Sequence, residues 1–161
     1  MSETDALRVA VLGVGRIGSM HADVVAHDVP GATLVGVADA VPEVAEAVAA
    51  KLGVSAVDID KVLERDDVDA VAICSSTDTH VDLMLSAAQA GKAILCEKPI
   101  SLNLPEVDHV LAAVEAAGVP LMIGFNRRFD PAHLSVREAV SSGSVGEPHL
   151  VRISSRHPDP P

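Results

Sequence analysis

Short apolar runs recur along the chain and alternate with stretches whose apolar positions fall at helical spacing. LRVAVLG (7–13) and ATLVGVAD (32–39) predict the first two strands, and RIGSMHADVVAHD (16–28) between them predicts a helix. PEVAEAVAAKLG (42–53) predicts an Ala-rich helix, opened by Pro42 and closed by Gly53. A short strand near VSAV (54–57) precedes a polar helix over DIDKVLERDD (58–67), whose acidic end reads as a solvated turn. VDAVAICS (68–75), KAILCEK (92–98) and VPLMIGF (119–125) are three further strands, separated by helices over 79–91 and 105–118. These strands are near-continuous apolar runs, as expected when helices cover both faces of a parallel sheet. Repeated strand–helix–strand units therefore predict an α/β fold with a doubly wound parallel sheet.

The pattern changes after Phe125. DPAHLSVREAVSSG (130–143) predicts one more helix, and EPHLVRISSRH (147–157) reads as a strand with one wet face, Val151 and Ile153 alternating with Arg152 and Ser154. A lone strand cannot cover its own apolar face. The expectation is a complete first domain over 1–125, then a linking helix and the first strand of a second α/β domain over 126–161. An uncovered apolar strand invites pairing with another copy, so a homo-oligomer is expected.

Composition narrows the function classes. The chain has 161 residues and a formal net charge of −11, which opposes binding to nucleic acid or to anionic membrane. Trp and Tyr are absent, so no aromatic platform for base stacking is available. Cys74 and Cys96 each close an apolar run and form no C-x-x-C pair, and the seven histidines show no close pair at ligand spacing, so no metal is expected. The absence of a leader or a membrane-length apolar run leads to the expectation of a cytoplasmic protein.

GVGRIG places Gly13, Gly15 and Gly18 in a G-x-G-x-x-G turn that directly follows a strand and opens a helix. In that setting Gly13 allows the tight turn, Gly15 lets a pyrophosphate approach the backbone, and Gly18 lets helix and strand pack closely. Arg16 and Ile17 complete the turn, and N–H groups at the helix N-terminus would hold the phosphates. Asp39 ends the second strand, where a carboxylate accepts from the ribose hydroxyls and repels a 2′-phosphate, favouring NAD over NADP. It could also merely initiate the turn before Pro42. Ser75, Ser76 and Thr77 follow the fourth strand on the same edge and could line the ribose and nicotinamide side; Thr77 or Asp78 could instead only cap the next helix. His21 and His80 pack or cap near this edge, with His80 counted among the cofactor-site residues. Lys98, in CEKPI (96–100), ends the fifth strand on that edge. A desolvated lysine there can exchange a proton with a substrate hydroxyl while Glu97 and Pro99 fix the backbone around it. The bland alternative is a solvent-exposed loop.

GVGRIG, SSTDTH, EKP and GFNRRFDPAH together resemble the Gfo/Idh/MocA oxidoreductase family, and within it the inositol 2-dehydrogenase-like members. The resemblance spans essentially the whole chain, and EKP is its most specific part. It implies a Rossmann domain followed by an α/β domain with a large open sheet, in a protein about twice this length. It implies that Lys98 is the catalytic lysine and that Gly13, Gly15, Gly18, Asp39 and Glu97 belong to the NAD site. It also implies that Asn126, Arg127 and Arg128 line the junction of nicotinamide and substrate; the bland alternative is that Arg127 and Arg128 are solvated linker charges pairing with nearby acids. An Asp and a His of the second domain would complete the acid–base set beyond Pro161, and His157 stands where similar sequences often carry Asp.

The leading expectation is an NAD-dependent dehydrogenase acting on a secondary alcohol of a cyclitol or sugar, of which this chain is the cofactor-binding part, inactive alone. The alternatives are a non-catalytic module that binds or senses NAD, and a Rossmann-like domain for a methyl donor. The last has no use for the lysine of EKP.

Overall fold

The computed structural model describes residues 6–154. Six parallel strands, β1 (Leu7–Leu12), β2 (Ala32–Ala38), β3 (Ser55–Ala56), β4 (Ala70–Ile73), β5 (Ala93–Cys96) and β6 (Leu121–Ile123), form one sheet in the order β3-β2-β1-β4-β5-β6. The order runs outward in opposite directions from the β1–β4 pair, so a crevice opens at the carboxyl ends of those two strands, the place where open α/β sheets take their ligands. The fold is the doubly wound parallel sheet that the apolar runs predict, of the Rossmann type that the resemblance implies.

Alternate residues of β1 explain the two layers. Val11 faces a cluster with Ala22 of α1 (Arg16–His27) and with Ala45 and Ala49 of α2 (Pro42–Leu52). Ala10 and Leu12 face the other cluster, which holds Val62 and Leu63 of α3 (Ile59–Leu63), Met84, Ala87 and Ala88 of α4 (Thr77–Gln89), and Val110 and Val114 of α5 (Leu104–Ala117). Small residues dominate the first cluster, which lets α1 and α2 lie close to the sheet. Alternation of period two within β1 thus feeds both cores.

Two helix boundaries differ from the periodicity. α4 begins at Thr77 because Ser76, with extended backbone, takes the N-cap position, so neither Thr77 nor Asp78 is the cap. α3 is a single short turn-and-a-half, ending where the acidic run 64–67 begins and Arg65 pairs with Asp67 at 2.6 Å.

The chain divides into two compact units, Met1–Gly124 and Phe125–Pro161. In the second, a 3₁₀ turn over Asn126–Arg128 precedes α6 (Pro131–Ser141). Asp130 caps α6, accepting from the N–H groups of Ala132 and His133 at 3.0 and 3.1 Å, with Pro131 at its first position. The strand expected over 147–157 does not form within 147–154, where no ladder partner is present among the described residues and Leu150, Val151 and Ile153 stand exposed. Residues 155–157, including His157, lie outside the described residues, as does Met1–Asp5 at the other end. No helix among the described residues is long and apolar enough to cross a membrane.

Candidate functional site

Sheet register lines up the chemistry-bearing turns. The Gly13 N–H donates to the Ala38 carbonyl at 2.8 Å, Cys74 N–H to Leu12 at 2.7 Å, Glu97 N–H to Ile73 at 2.9 Å and Gly124 N–H to Cys96 at 2.8 Å. Asp39, the glycine turn, the Ser75 turn and the Glu97–Lys98 turn therefore stand side by side along one sheet edge.

The three glycines differ in what the fold asks of them. Gly13 has φ +82°, and a Cβ there would come within 2.5 Å of the Ser75 backbone. A Cβ on Gly18 would fall on the Gly13 carbonyl oxygen and press on Cys74 at 3.1 Å, so the helix could not sit against the turn. Gly15 is otherwise: its φ of −62° is open to any L residue, and nothing among the described residues lies within 4 Å of a Cβ built on it. Nothing inside the fold calls for glycine at position 15; its face is open to an incoming group.

That face belongs to the N-terminus of α1. No side chain caps the helix and its first turn carries no acid, so its leading N–H groups are left for a ligand. The Ser19 hydroxyl donates to the Val14 carbonyl at 2.6 Å and pins the turn. A cleft of about 510 Å³ opens here, lined by Gly13, Gly15, Arg16, Ile17, Asp39, Ser75 and Ser76 among others. Thr77 does not line it. Thr79 does, its hydroxyl 2.7 Å from that of Ser75 and donating to the Ser76 carbonyl at 2.8 Å. Ala40, Ile59 and Leu83 add an apolar wall that the motifs did not indicate.

Asp39 has two duties. Its Oδ2 accepts from the Val14 N–H at 2.7 Å and its Oδ1 from the Val41 N–H at 3.0 Å, so the carboxylate braces the glycine turn and starts the turn toward Pro42. It lines the main cleft and also a second hollow of about 270 Å³ with Pro42, Ala56, Asp58 and Lys61. Each oxygen retains a free lone pair for a ribose hydroxyl.

His80 is the buried polar side chain of the described core, at 1% exposure, and its nitrogens face the carbonyl oxygens of Pro99 at 2.8 Å and Ser75 at 3.1 Å. Both nitrogens are turned to the protein's own backbone, and His80 is not among the residues that line the cleft. Burial and two protein acceptors explain why.

Glu97 is set by its neighbours. Its Oε1 lies 2.9 Å from His21 Nε2 of α1, Oε2 accepts weakly from the Lys98 N–H at 3.2 Å, and a Cβ on Gly124 would press on this carboxylate at 3.0 Å. Gly124 thus leaves room for Glu97, a link that the motif alone does not reveal. Lys98 itself is exposed, and the Lys98–Pro99 peptide is cis. The desolvation expected for this amine is not supplied by the described residues around it. The thiols of Cys74 and Cys96 are pushed up to about 12, by burial first and by the negative charge of Glu97 second.

Asn126 and Arg127 fall in the second unit, both exposed, and Arg127 lies 3.6 Å from Asp130. That pairing is the one expected of a linker charge.

The chain is 48% identical over 155 residues to inositol 2-dehydrogenase of Rhizobium meliloti, covering 96% of this chain and 47% of that protein. It is 42% identical over 157 residues to myo-inositol 2-dehydrogenase of Thermotoga maritima, with 96% and 47% covered. Scyllo-inositol dehydrogenase from Lactobacillus casei, solved with bound NAD(H) and scyllo-inositol, superposes with a TM-score of 0.84 at 30% identity, over 88% of this chain and 43% of that one. The chain spans about half the length of the curated relatives it matches. Residues 7–125 match the model of the Gfo/Idh/MocA oxidoreductase family with its NAD-binding Rossmann fold, and the chain belongs to that family.

Proposed function

We propose that this chain binds NAD along the carboxyl edge of its sheet and forms the cofactor half of a dehydrogenase acting on a secondary alcohol of an inositol-like cyclitol. The observation that carries the reading is Gly15, a glycine that the fold does not need, at an uncapped helix N-terminus that faces a cleft. The inositol dehydrogenases among its relatives support the substrate class.

In this reading the leading N–H groups of α1 hold the pyrophosphate, and Gly15 lets it approach. Asp39 accepts from the adenosine ribose and repels a 2′-phosphate. Ser75 and Ser76 line the path toward the reacting end. Bound NAD supplies the hydride acceptor. Lys98, next along the edge, takes or returns the proton of the substrate hydroxyl, and Glu97, held by His21, fixes the backbone from which that amine projects. Closure over Lys98 by substrate would provide the dry surroundings that the exposed amine lacks.

Calorimetry tests the cofactor reading. NAD is expected to bind at least about tenfold more tightly than NADP, roughly the cost of one unfavourable charge contact. Gly15→Val should keep the melting temperature, since the backbone and space accept it, and lose binding of both. Equal affinity for the two cofactors removes the Asp39 assignment, and normal NAD binding by Gly15→Val removes the assignment of the glycine turn. Lys98→Met should leave NAD affinity within about threefold while turnover of the complete enzyme falls by roughly 10²–10⁴.

A further inference from the structure

His80 lies on α4, away from any role in the proposed mechanism, yet it touches both turns that flank the reacting end. Its Nδ1 is 2.8 Å from the carbonyl oxygen of Pro99, the residue after Lys98, and its Nε2 is 3.1 Å from the carbonyl oxygen of Ser75, which lines the cofactor cleft. Carbonyl oxygens only accept and a neutral imidazole carries one N–H, so one contact is a donated hydrogen bond, assigned to Nδ1 on Pro99 as the shorter, while Nε2 packs against the Ser75 carbonyl; a rigid ring still fixes the separation of the two. The side chain is 1% exposed, so water does not compete for that bond. A core needing only to be filled at this position would be served by an apolar residue, without the cost of burying a ring with two polar atoms.

We propose that His80 is a positioning residue, a clamp that holds the Lys98 turn against the Ser75 turn and so sets the width of the slot for the nicotinamide end of the cofactor. The proposal rests on the dinucleotide reading above. It assigns His80 no contact with cofactor or substrate. The adenosine end, built on Gly13 and Asp39, lies on the far side of the Ser75 turn and does not depend on the clamp.

Calorimetry on the 161-residue chain with NADH and with ADP-ribose separates the two ends, because the ligands share adenosine and pyrophosphate and differ in the nicotinamide. His80→Leu is expected to weaken NADH by about tenfold, the worth of roughly one hydrogen bond, while ADP-ribose stays within about twofold. The amide resonances of Lys98 and Ile100 should shift in the same variant. His80→Asn places an amide donor where Nδ1 stood and should recover most of the NADH affinity, whereas His80→Gln, which mimics Nε2, should not recover it. Equal losses for both ligands, or no loss for either, overturn the clamp. If His80→Leu does not fold, the Asn and Gln variants decide, and identical behaviour of the two overturns it. If the wild type binds neither ligand, the dinucleotide reading falls; unmoved Lys98 and Ile100 resonances in His80→Leu, or in His80→Asn and His80→Gln where Leu does not fold, then overturn the clamp separately.

Discussion

Cys74 sits where the fourth strand gives way to the Ser75 turn, at the wall of the cleft, and its thiol is pushed up to about 12 by burial and by Glu97. Only the thiolate is nucleophilic, and a rise of about three units from the ordinary value cuts the thiolate fraction at pH 8 on the order of 10³-fold. Alkylation of both cysteines by iodoacetamide at pH 8 should therefore be slower than that of a free thiol by roughly 10²–10³, and NAD should slow Cys74 further by covering the cleft. A fast-reacting Cys74 would mean that the wall is looser than its packing indicates. At this scale the sequence was legible where a backbone rule was involved. Gly13 and Gly18 show the tight turn and the close approach that the motif demands. It was illegible where a side chain reaches across the fold: Asp39 bracing Val14, His21 on Glu97, and His80 on Pro99 join residues 19 to 76 positions apart, and no periodicity encodes such pairs. Cover over Lys98 was not readable for a related reason, since a strand end marks direction but not cover.

Among elements, the β1–β4 pair at the centre of the sheet is tied at the end opposite the site. Arg8 makes a two-pronged contact with Asp69, Nη2 to Oδ1 at 2.6 Å and Nε to Oδ2 at 2.9 Å, and its own N–H donates to Oδ2 at 2.8 Å. The Asp69 N–H returns a bond to the Arg8 carbonyl at 2.8 Å, and the Asp69 carbonyl accepts from Ala93 at 3.0 Å, so one residue starts three adjacent strands. The hydrogen bonds from Arg8 lower the Asp69 carboxyl from 3.8 to about 2. A carboxylate more acidic in the folded chain than in the unfolded one stabilises the fold above the unfolded value. That contribution is lost as pH falls from about 3.8 through about 2. Both side chains are partly solvated, so the effect is modest and weakens with salt. Asp69→Asn should lower the urea midpoint at pH 7 but make little difference at pH 2. A gap that persists undiminished at pH 2 would show that the pair acts through shape, not charge. The strands and most helices were legible because apolar period and terminal Pro and Gly agree at each; α4 was misjudged at its start because Ser76, Thr77 and Asp78 are all competent caps.

Across the whole molecule, stability is unevenly distributed. Residues 6–124 contain both apolar clusters, whereas none of residues 125–154 is buried, and Leu150 and Ile153 are 88% and 87% exposed. The missing strand at 147–154 has the same cause: alternation marks a face that wants covering, but a strand forms only where a ladder partner exists. α6 spans eleven residues and relies on its Asp130 cap, and a helix of that length is marginal without packing. Its amides should exchange far faster than those of β1 and β4, by at least about 10² in protection factor at low protein concentration. Phe129, Val136, Val145, Leu150 and Ile153 stand exposed, and a second copy that covered them would do so against the net charge of −11. Raising concentration or salt should therefore increase protection of α6 together with the sedimenting mass, since salt screens the repulsion and leaves the apolar contact intact. Protection of α6 equal to that of β4 in dilute monomer would refute this division, because the second unit would then be stable through contacts of its own chain.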